Sequence, residues 1–356
     1  MLTVRLGAIA ENFRLCGTLS GAPVAGVVKA DAYGLGAVPV ARALSEAGCE
    51  TFFVARLEEG IALRPIVPHG RIFVLDGVSP ENTEQFIAHR LTPVLNSLDE
   101  IATWSAAANS RRAVLDAALH VDTGMNRLGL PANELATLAA EAGPRLTGIN
   151  TVLVMSHLAC SDNPAARMNL EQLERFRAAI AILPPAPASL AASGGVLLGK
   201  NYAFDLVRPG IALYGGNPLA DASNPFRTVA QLTGRILQVR RVDKGESVGY
   251  GATFHTLRPS ALATVALGYA DGLMRAIGNR GSGAIGGIRV PVVGRVSMDL
   301  ITLDVTDIPS AVPGCEVEFV GDTIPLEEAA VAAGTANYEI LTGLGTRFPR
   351  HYVSTS

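Results

Sequence analysis

Short apolar runs alternate with amphipathic stretches over the first two thirds of the chain. Leu6, Ile9, Ala10 and Phe13 recur at helical spacing and predict a short opening helix. Val24–Val28 is too short for a helix of its own and predicts a buried strand, which the Gly34-x-Gly36 pair ends. Further strands are predicted at Thr51–Ala55, Arg71–Leu75, Leu91–Leu95, Ala113–Val121, Gly148–Met155, Ala188–Ala192 and Leu206–Leu213. Helical spacing fills many of the gaps, as at Val38–Ala47, Ser97–Ala108, Asn133–Ala142 and Ala165–Leu183. Eight strand–helix units in roughly 215 residues match the size and rhythm of a (β/α)8 barrel, and a doubly wound sheet rarely needs so many.

The texture changes after Gly215–Phe226, which reads as a linker. Strand-like runs then follow one another without long helices, at Thr228–Val242, Glu246–Phe254, Leu262–Gly268, Ile288–Val293, Leu300–Val305 and Glu316–Val320. Two short helical stretches, Leu326–Ala333 and Tyr338–Leu344, come near the end. The expected fold is therefore α/β, an N-terminal (β/α)8 barrel over 1–220 followed by a mainly-β C-terminal domain over 221–356.

Composition narrows the function. Of 29 basic residues only Lys29, Lys200 and Lys244 are lysines, and only lysine offers an amine that can act as nucleophile or Schiff-base partner. Lys244 lies in a turn sequence and Lys200 in a glycine-containing loop, whereas Lys29 stands at the carboxyl end of a buried strand. A net charge of −3 without like-charge blocks argues against nucleic acid or an anionic membrane as partner. No apolar run reaches the ~18 residues of a membrane span, and Met1–Gly17 lacks a signal-peptide core. The four cysteines and six histidines are scattered without metal-ligand spacing, which removes a metal-dependent barrel hydrolase. A reduced, cytoplasmic chain with no metal is expected.

In a parallel barrel, chemistry gathers at the carboxyl ends of the strands. Those ends carry Lys29, Asp122-Thr123-Gly124-Met125-Asn126-Arg127, Ser156-His157, Ser193-Gly194-Gly195 and Arg208-Pro209-Gly210-Ile211. Each motif alone has a bland reading, as turn, cap or core histidine. Together they place one amine, two arginines and phosphate-suited loops on one rim, the requirement of pyridoxal phosphate.

With these motifs the chain resembles the alanine racemase family over nearly its whole length. The matching runs are Val28–Gly34, Val121–Gly129, Arg208–Gly215, Val248–Gly251, Gly268–Gly272 and Val293–Asp299, in the family's order. The resemblance implies pyridoxal phosphate held by Lys29, which is also the base on one face of the substrate. It implies Tyr250 as the second base, supplied by the other subunit of a homodimer, with His157 hydrogen-bonded to it and Arg208 facing the pyridine nitrogen. Tyr33, Ser193, Gly210, Ile211 and Tyr338 then contact the phosphate. Arg127 and the Met298 backbone N–H take the substrate carboxylate, while Tyr269 and Asp299 line its approach. The implied reaction interconverts L- and D-alanine and supplies D-alanine for peptidoglycan. A racemase of broader range, taking serine for example, and a non-catalytic pyridoxal-phosphate protein are the alternatives; a second domain bearing Tyr250 speaks against the latter.

The chemistry supports these roles separately. Racemisation needs a proton removed from one face and returned to the other, hence a base on each side. Tyrosine, with a pKa of ~10, needs cationic or hydrogen-bonding neighbours to serve near neutrality. An arginine at the pyridine nitrogen, in place of a carboxylate, favours racemisation over decarboxylation. Two departures stand out. His120 occupies the position where relatives often carry a carbamylated lysine that braces the substrate arginine, so some other negative group, such as chloride, is expected beside Arg127, and no dependence on carbon dioxide. Ala192 stands where many relatives have asparagine.

Overall fold

The structure is a computed structural model describing residues 1–219 and 222–354. The boundary expected between 220 and 221 lies outside the described residues. Seven parallel strands follow one another in chain order: Gly26–Val27, Thr51–Val54, Arg71–Val74, Thr92–Leu95, Leu115–His120, Ile149–Met155 and Ala188–Ser189. Most of their apolar residues are buried on both sides, as βα connections require; Phe52, Phe53 and Val54 are all inaccessible. An eighth segment closes the curl. Val207 bridges Val24 and Arg208 bridges Ala192, both parallel, with Ala25 N–H donating to Val207 O at 2.8 Å and Arg208 N–H to Ala191 O at 2.9 Å.

The sequence predicted that segment as a strand from Leu206 to Leu213. Pro209 has no N–H to give and only accepts, from the Val27 N–H at 3.3 Å, after which Ile211–Tyr214 coils into a 3-10 turn. The strand predicted at Glu246–Phe254 is likewise two strand fragments, Ser247–Val248 and Phe254–His255, paired antiparallel. Between them Tyr250–Ala252 forms a 3-10 turn that begins beside Gly249 at φ +72° and contains Gly251 at φ +73°, backbone that extended residues do not adopt.

The second sheet has eight strands arranged around Ala230–Val242, which pairs antiparallel with Leu2–Arg5, Ser260–Ala266 and Glu316–Val320. Leu2–Arg5 also runs parallel to Arg350–Val353, so both ends of the described chain meet in this sheet. Helices Leu326–Ala333 and Asn337–Thr342 stand where the sequence placed them, within a residue or two. One continuous core joins barrel and sheet, with Phe53 and Leu213 in the same packed cluster as Leu232 and Leu341.

Candidate active site

A cleft of about 800 Å³ opens at the carboxyl ends of the barrel strands. Lys29, Tyr33, Arg127, His157, Ser193, Arg208, Gly210, Ile211 and Tyr338, nine of the residues singled out from sequence, line it together, and so does His120.

Lys29 opens a turn of unusual hand. Ala30, Asp31, Ala32 and Tyr33 all have φ between +52° and +57°, a left-handed coil that L-residues resist. Glu59 clamps its start: Oε1 accepts the Ala30 N–H at 2.7 Å while Oε2 accepts those of Ala55 and Arg56 at 2.8 and 3.1 Å. Asp31 Oδ1 accepts the Ala37 N–H at 2.7 Å at the far end. Burial and the Arg127 charge lower the Lys29 pKa, against the pull of Glu59 and Asp76, so a free amine is easier to reach than at an exposed lysine.

The turn seats the Tyr33 ring under the barrel's last loop, 4.7 Å centroid to centroid from Tyr214 and 6.2 Å from Tyr338. Tyr214, a residue that the sequence reading left without a role, donates its hydroxyl to Val27 O at 2.8 Å and so ties this loop to the lysine strand. Ser193 Oγ accepts the N–H groups of Gly210 and Ala212 at 2.9 and 3.2 Å. A Cβ on Gly210 would stand 2.1 Å from Tyr33 Oη, so this small donor-rich pocket admits only glycine there.

Across the cleft, Arg208 is buried, with one guanidinium NH₂ donating to Ser156 O at 2.6 Å and the other to Ser189 Oγ. Burial pulls its pKa down to about 9, which leaves it a cation at neutral pH. Burial and the Arg208 charge hold His157 down at about 3, a neutral imidazole. Gln172, buried on the helix Arg167–Ile182, knits the neighbouring loops together. Its Nε2 donates to His157 O at 2.9 Å and Thr123 Oγ1 at 3.1 Å, and its Oε1 accepts from Ala159 N–H at 2.8 Å. The Asp122-Thr123-Gly124 motif is a turn with a purpose: Asp122 Oδ1 accepts the N–H groups of Gly124, Met125 and Asn126 at 2.9, 2.9 and 3.2 Å and presents Arg127.

The remaining candidates lie in turns and loops of the C-terminal, mainly-β part and do not line this cleft. Tyr250, Tyr269 and Met298 are 72%, 41% and 53% exposed. Gly268 lets two of their segments meet, since a Cβ there would lie 2.2 Å from Met298 O; the Ala270 N–H donates to that oxygen at 2.9 Å. Asp299 is paired with Arg347 at 2.7 Å. Among the described residues no cluster of histidine, cysteine and carboxylate side chains could hold a metal ion, and no helix is long and apolar enough to cross a membrane.

A partly freed lysine amine, a hydroxyl-and-amide pocket that excludes any Cβ, and an arginine facing the same space suit the aldehyde, phosphate and ring nitrogen of pyridoxal phosphate. Fold and site together define a barrel enzyme of the pyridoxal-phosphate class. Family models agree: "alanine racemase, N-terminal domain" matches residues 4–218 and "alanine racemase, C-terminal domain" residues 229–352. The chain belongs to the alanine racemase family. It is 50% identical to the alanine racemase of Rhodospirillum rubrum, covering 99% of this chain and 95% of that one. It is 48% identical to the catabolic alanine racemase of Agrobacterium fabrum, with 99% and 92% covered. The same organism's biosynthetic enzyme is 45% identical, with 99% and 93% covered. Among solved structures, alanine racemase from Bartonella henselae with covalently bound pyridoxal phosphate superposes with a TM-score of 0.95 at 38% identity, over 99% of both chains. The biosynthetic alanine racemase of Pseudomonas aeruginosa gives 0.93 at 35%, also over 99% of both.

Proposed function

We propose that this protein is a pyridoxal-phosphate-dependent alanine racemase, interconverting L- and D-alanine. The observation that carries the reading is the convergence of Lys29, the Tyr33–Ser193–Gly210 pocket and Arg208 on one cleft. Pyridoxal phosphate, when bound, supplies an electron sink for the pair left behind as the α-proton departs. Lys29 holds the cofactor, and its amine, biased toward the free form, takes or returns the α-proton on one face. Tyr33, Ser193, Gly210, Ile211 and Tyr338 hold the phosphate. Arg208 has only N–H donors to offer, so it favours an unprotonated ring nitrogen opposite it. Arg127 takes the substrate carboxylate.

The opposite face needs a second base, and among the described residues lining the cleft burial makes His157 a weak base and pushes the Tyr33 and Tyr338 phenols up. We assign that base to Tyr250 of the partner subunit, in an isologous homodimer with two shared sites. The partner's Tyr250 then meets His157, which is neutral and can share a hydrogen bond with a phenol. The partner's Met298 supplies its N–H to the carboxylate, and the partner's Tyr269 and the partner's Asp299 flank the entrance. The exposure of Tyr250, Tyr269 and Met298 in the single chain supports a covered face. We divide the chain near residue 220, with Leu2–Arg5 returning to the second unit's sheet. A cytoplasmic enzyme making D-alanine for peptidoglycan completes the proposal.

The test is direct. Purified protein with pyridoxal phosphate and L-alanine in deuterium oxide is expected to form D-alanine carrying deuterium at Cα, and borohydride reduction is expected to mark Lys29. A label on Lys200 or Lys244, or faster turnover of L-serine than of alanine, would overturn the assignment.

A further inference from the structure

His120 ends the strand Leu115–His120 inside the cleft and is nearly buried, at 9% exposure. Its Nδ1 lies 2.8 Å from Asn96 Oδ1. The orientation of that amide is fixed by what surrounds its nitrogen. Asn96 Nδ2 donates to Val94 O at 2.9 Å, Leu75 O at 3.2 Å and Glu100 Oε2 at 3.4 Å. Flipping the amide would turn its oxygen onto three acceptors, so Oδ1 must face the histidine. An amide oxygen only accepts, and Nδ1 therefore carries the proton. Burial and the Arg208 charge hold the ring neutral, with a pKa near 4, so Nε2 is left as a bare lone pair.

Arg127 is the natural donor for that lone pair. Arg208 is anchored through its two NH₂ groups to Ser156 O and Ser189 Oγ, and its remaining donors are read as facing the cofactor ring. Arg127 makes no hydrogen bond or ion pair among the described residues, yet lines the same cleft. Arg127 is exposed, and the chain just beyond it returns over the ring. Leu130 N–H donates to His120 O at 2.8 Å, and a Cβ on Gly129, two residues beyond Arg127, would stand 3.1 Å from His120 Cγ. We propose that His120, fixed by Asn96 as its Nδ1–H tautomer, is a positioning residue whose Nε2 accepts a hydrogen bond from the Arg127 guanidinium when that side chain swings in to meet the substrate carboxylate. A neutral acceptor thus stands where the sequence suggested a negative group. The inference rests on the reading of Arg127 as the carboxylate partner.

Two measurements test it in the holoenzyme. Nitrogen-15 spectra of imidazole-labelled protein, with His120 identified by the signals lost in His120→Gln, are expected to show a protonated Nδ1 and a bare Nε2. An Nε2–H tautomer or an imidazolium at pH 7 overturns the proposal whatever the activity. Kinetically, His120→Phe is expected to raise KM for alanine about tenfold or more while kcat falls by much less, the loss of a hydrogen bond to a charged group. His120→Gln, which restores an acceptor oxygen, is expected to recover most of that KM. Replacing chloride with gluconate is expected to leave KM unchanged, and a rise would mean that an anion does the bracing. Arg127→Met separates the two readings. If it loses alanine binding while His120→Phe does not, the positioning role is wrong; if Arg127→Met itself binds alanine normally, the carboxylate assignment is wrong. Unchanged cofactor absorbance and melting temperature in each variant exclude misfolding as the cause.

Discussion

Glu59→Gln is the most informative perturbation of the lysine turn. A left-handed conformation costs roughly 1–2 kcal/mol per L-residue, so the four residues Ala30 to Tyr33 carry on the order of 4–8 kcal/mol that their surroundings must offset. Among the described residues Glu59 is the one side chain that hydrogen-bonds the first of them, and both of its oxygens are occupied as acceptors. Glutamine has the same shape but only one acceptor oxygen. That oxygen satisfies more donors facing Ala55 and Arg56, which leaves the amide nitrogen against the Ala30 N–H. A clash of donors costs about 1–3 kcal/mol, and because this bond lies at an exposed edge the lower part of the range applies, about 1–2 kcal/mol. Pyridoxal phosphate then binds roughly 5–30-fold more weakly, since the turn that presents Lys29 is no longer held before binding. Titrating the apoenzyme with cofactor and following its absorbance measures this, with exposed Glu58→Gln as the neighbouring control. Equal affinity of Glu59→Gln and wild type would refute the idea that Glu59 holds the turn.

Further outcomes follow from the same geometry. Lys29→Ala and Tyr250→Phe homodimers are each expected to be nearly inactive, yet mixing them is expected to restore about a quarter of wild-type activity, since about half the dimers are mixed and each has one intact site; no recovery despite proven subunit exchange places Tyr250 within its own chain. His120 and His157 have folded pKa values near 4 and 3 against 6.5 unfolded, so the unfolded chain binds more protons below pH 6.5 and stability falls as pH falls. Each contributes a loss of about 1.4 kcal/mol per pH unit between pH 6.5 and its folded pKa, so urea midpoints measured at pH 7 and pH 5 are expected to separate less in His120→Gln than in wild type. Gly210→Ala drives a methyl group into Tyr33 Oη and is expected to abolish cofactor retention without unfolding the barrel, which absorbance and circular dichroism together check.

Strands with dense β-branched and aromatic content, such as Thr51–Val54 and Ile149–Met155, were legible in sequence because their burial is written locally. Leu2–Arg5, Ser282–Ile285 and Arg350–Val353 were not. Leu2 pairs with Leu232 on one side and Arg350 on the other, so what makes it a strand lies more than two hundred residues away. Ser282–Ile285 contains Gly283, which has poor strand propensity but fits because a side chain there would strike Val317 at 2.7 Å. The short helix Leu57–Leu63 hid behind Gly60, where an added Cβ would lie 3.0 Å from Leu91. In each case tertiary packing outweighed local preference.

The site divides the same way. Residues proposed to meet ligand were sought at strand ends, and chemistry limits them to few types, so Lys29, Arg127, His157 and Arg208, which share one cleft, could be picked from the sequence. Residues that hold them are bound by neither rule. Glu59 reaches Ala30 across 29 positions, Asn96 reaches His120 across 24, and Gln172 reaches Thr123 across 49. None carries a motif of its own, and an exposed helical glutamine or asparagine reads no differently. The left-handed turn shows the consequence most sharply. Ala30-Asp31-Ala32-Tyr33 contains no glycine and reads locally as right-handed backbone; its hand is set by Glu59 before it and Tyr33 packed under Gly210 after it. The presentation of Lys29 is therefore a property of the assembled barrel rim, and a substitution at Glu59 or Gly210 should reach the chemistry without touching the lysine.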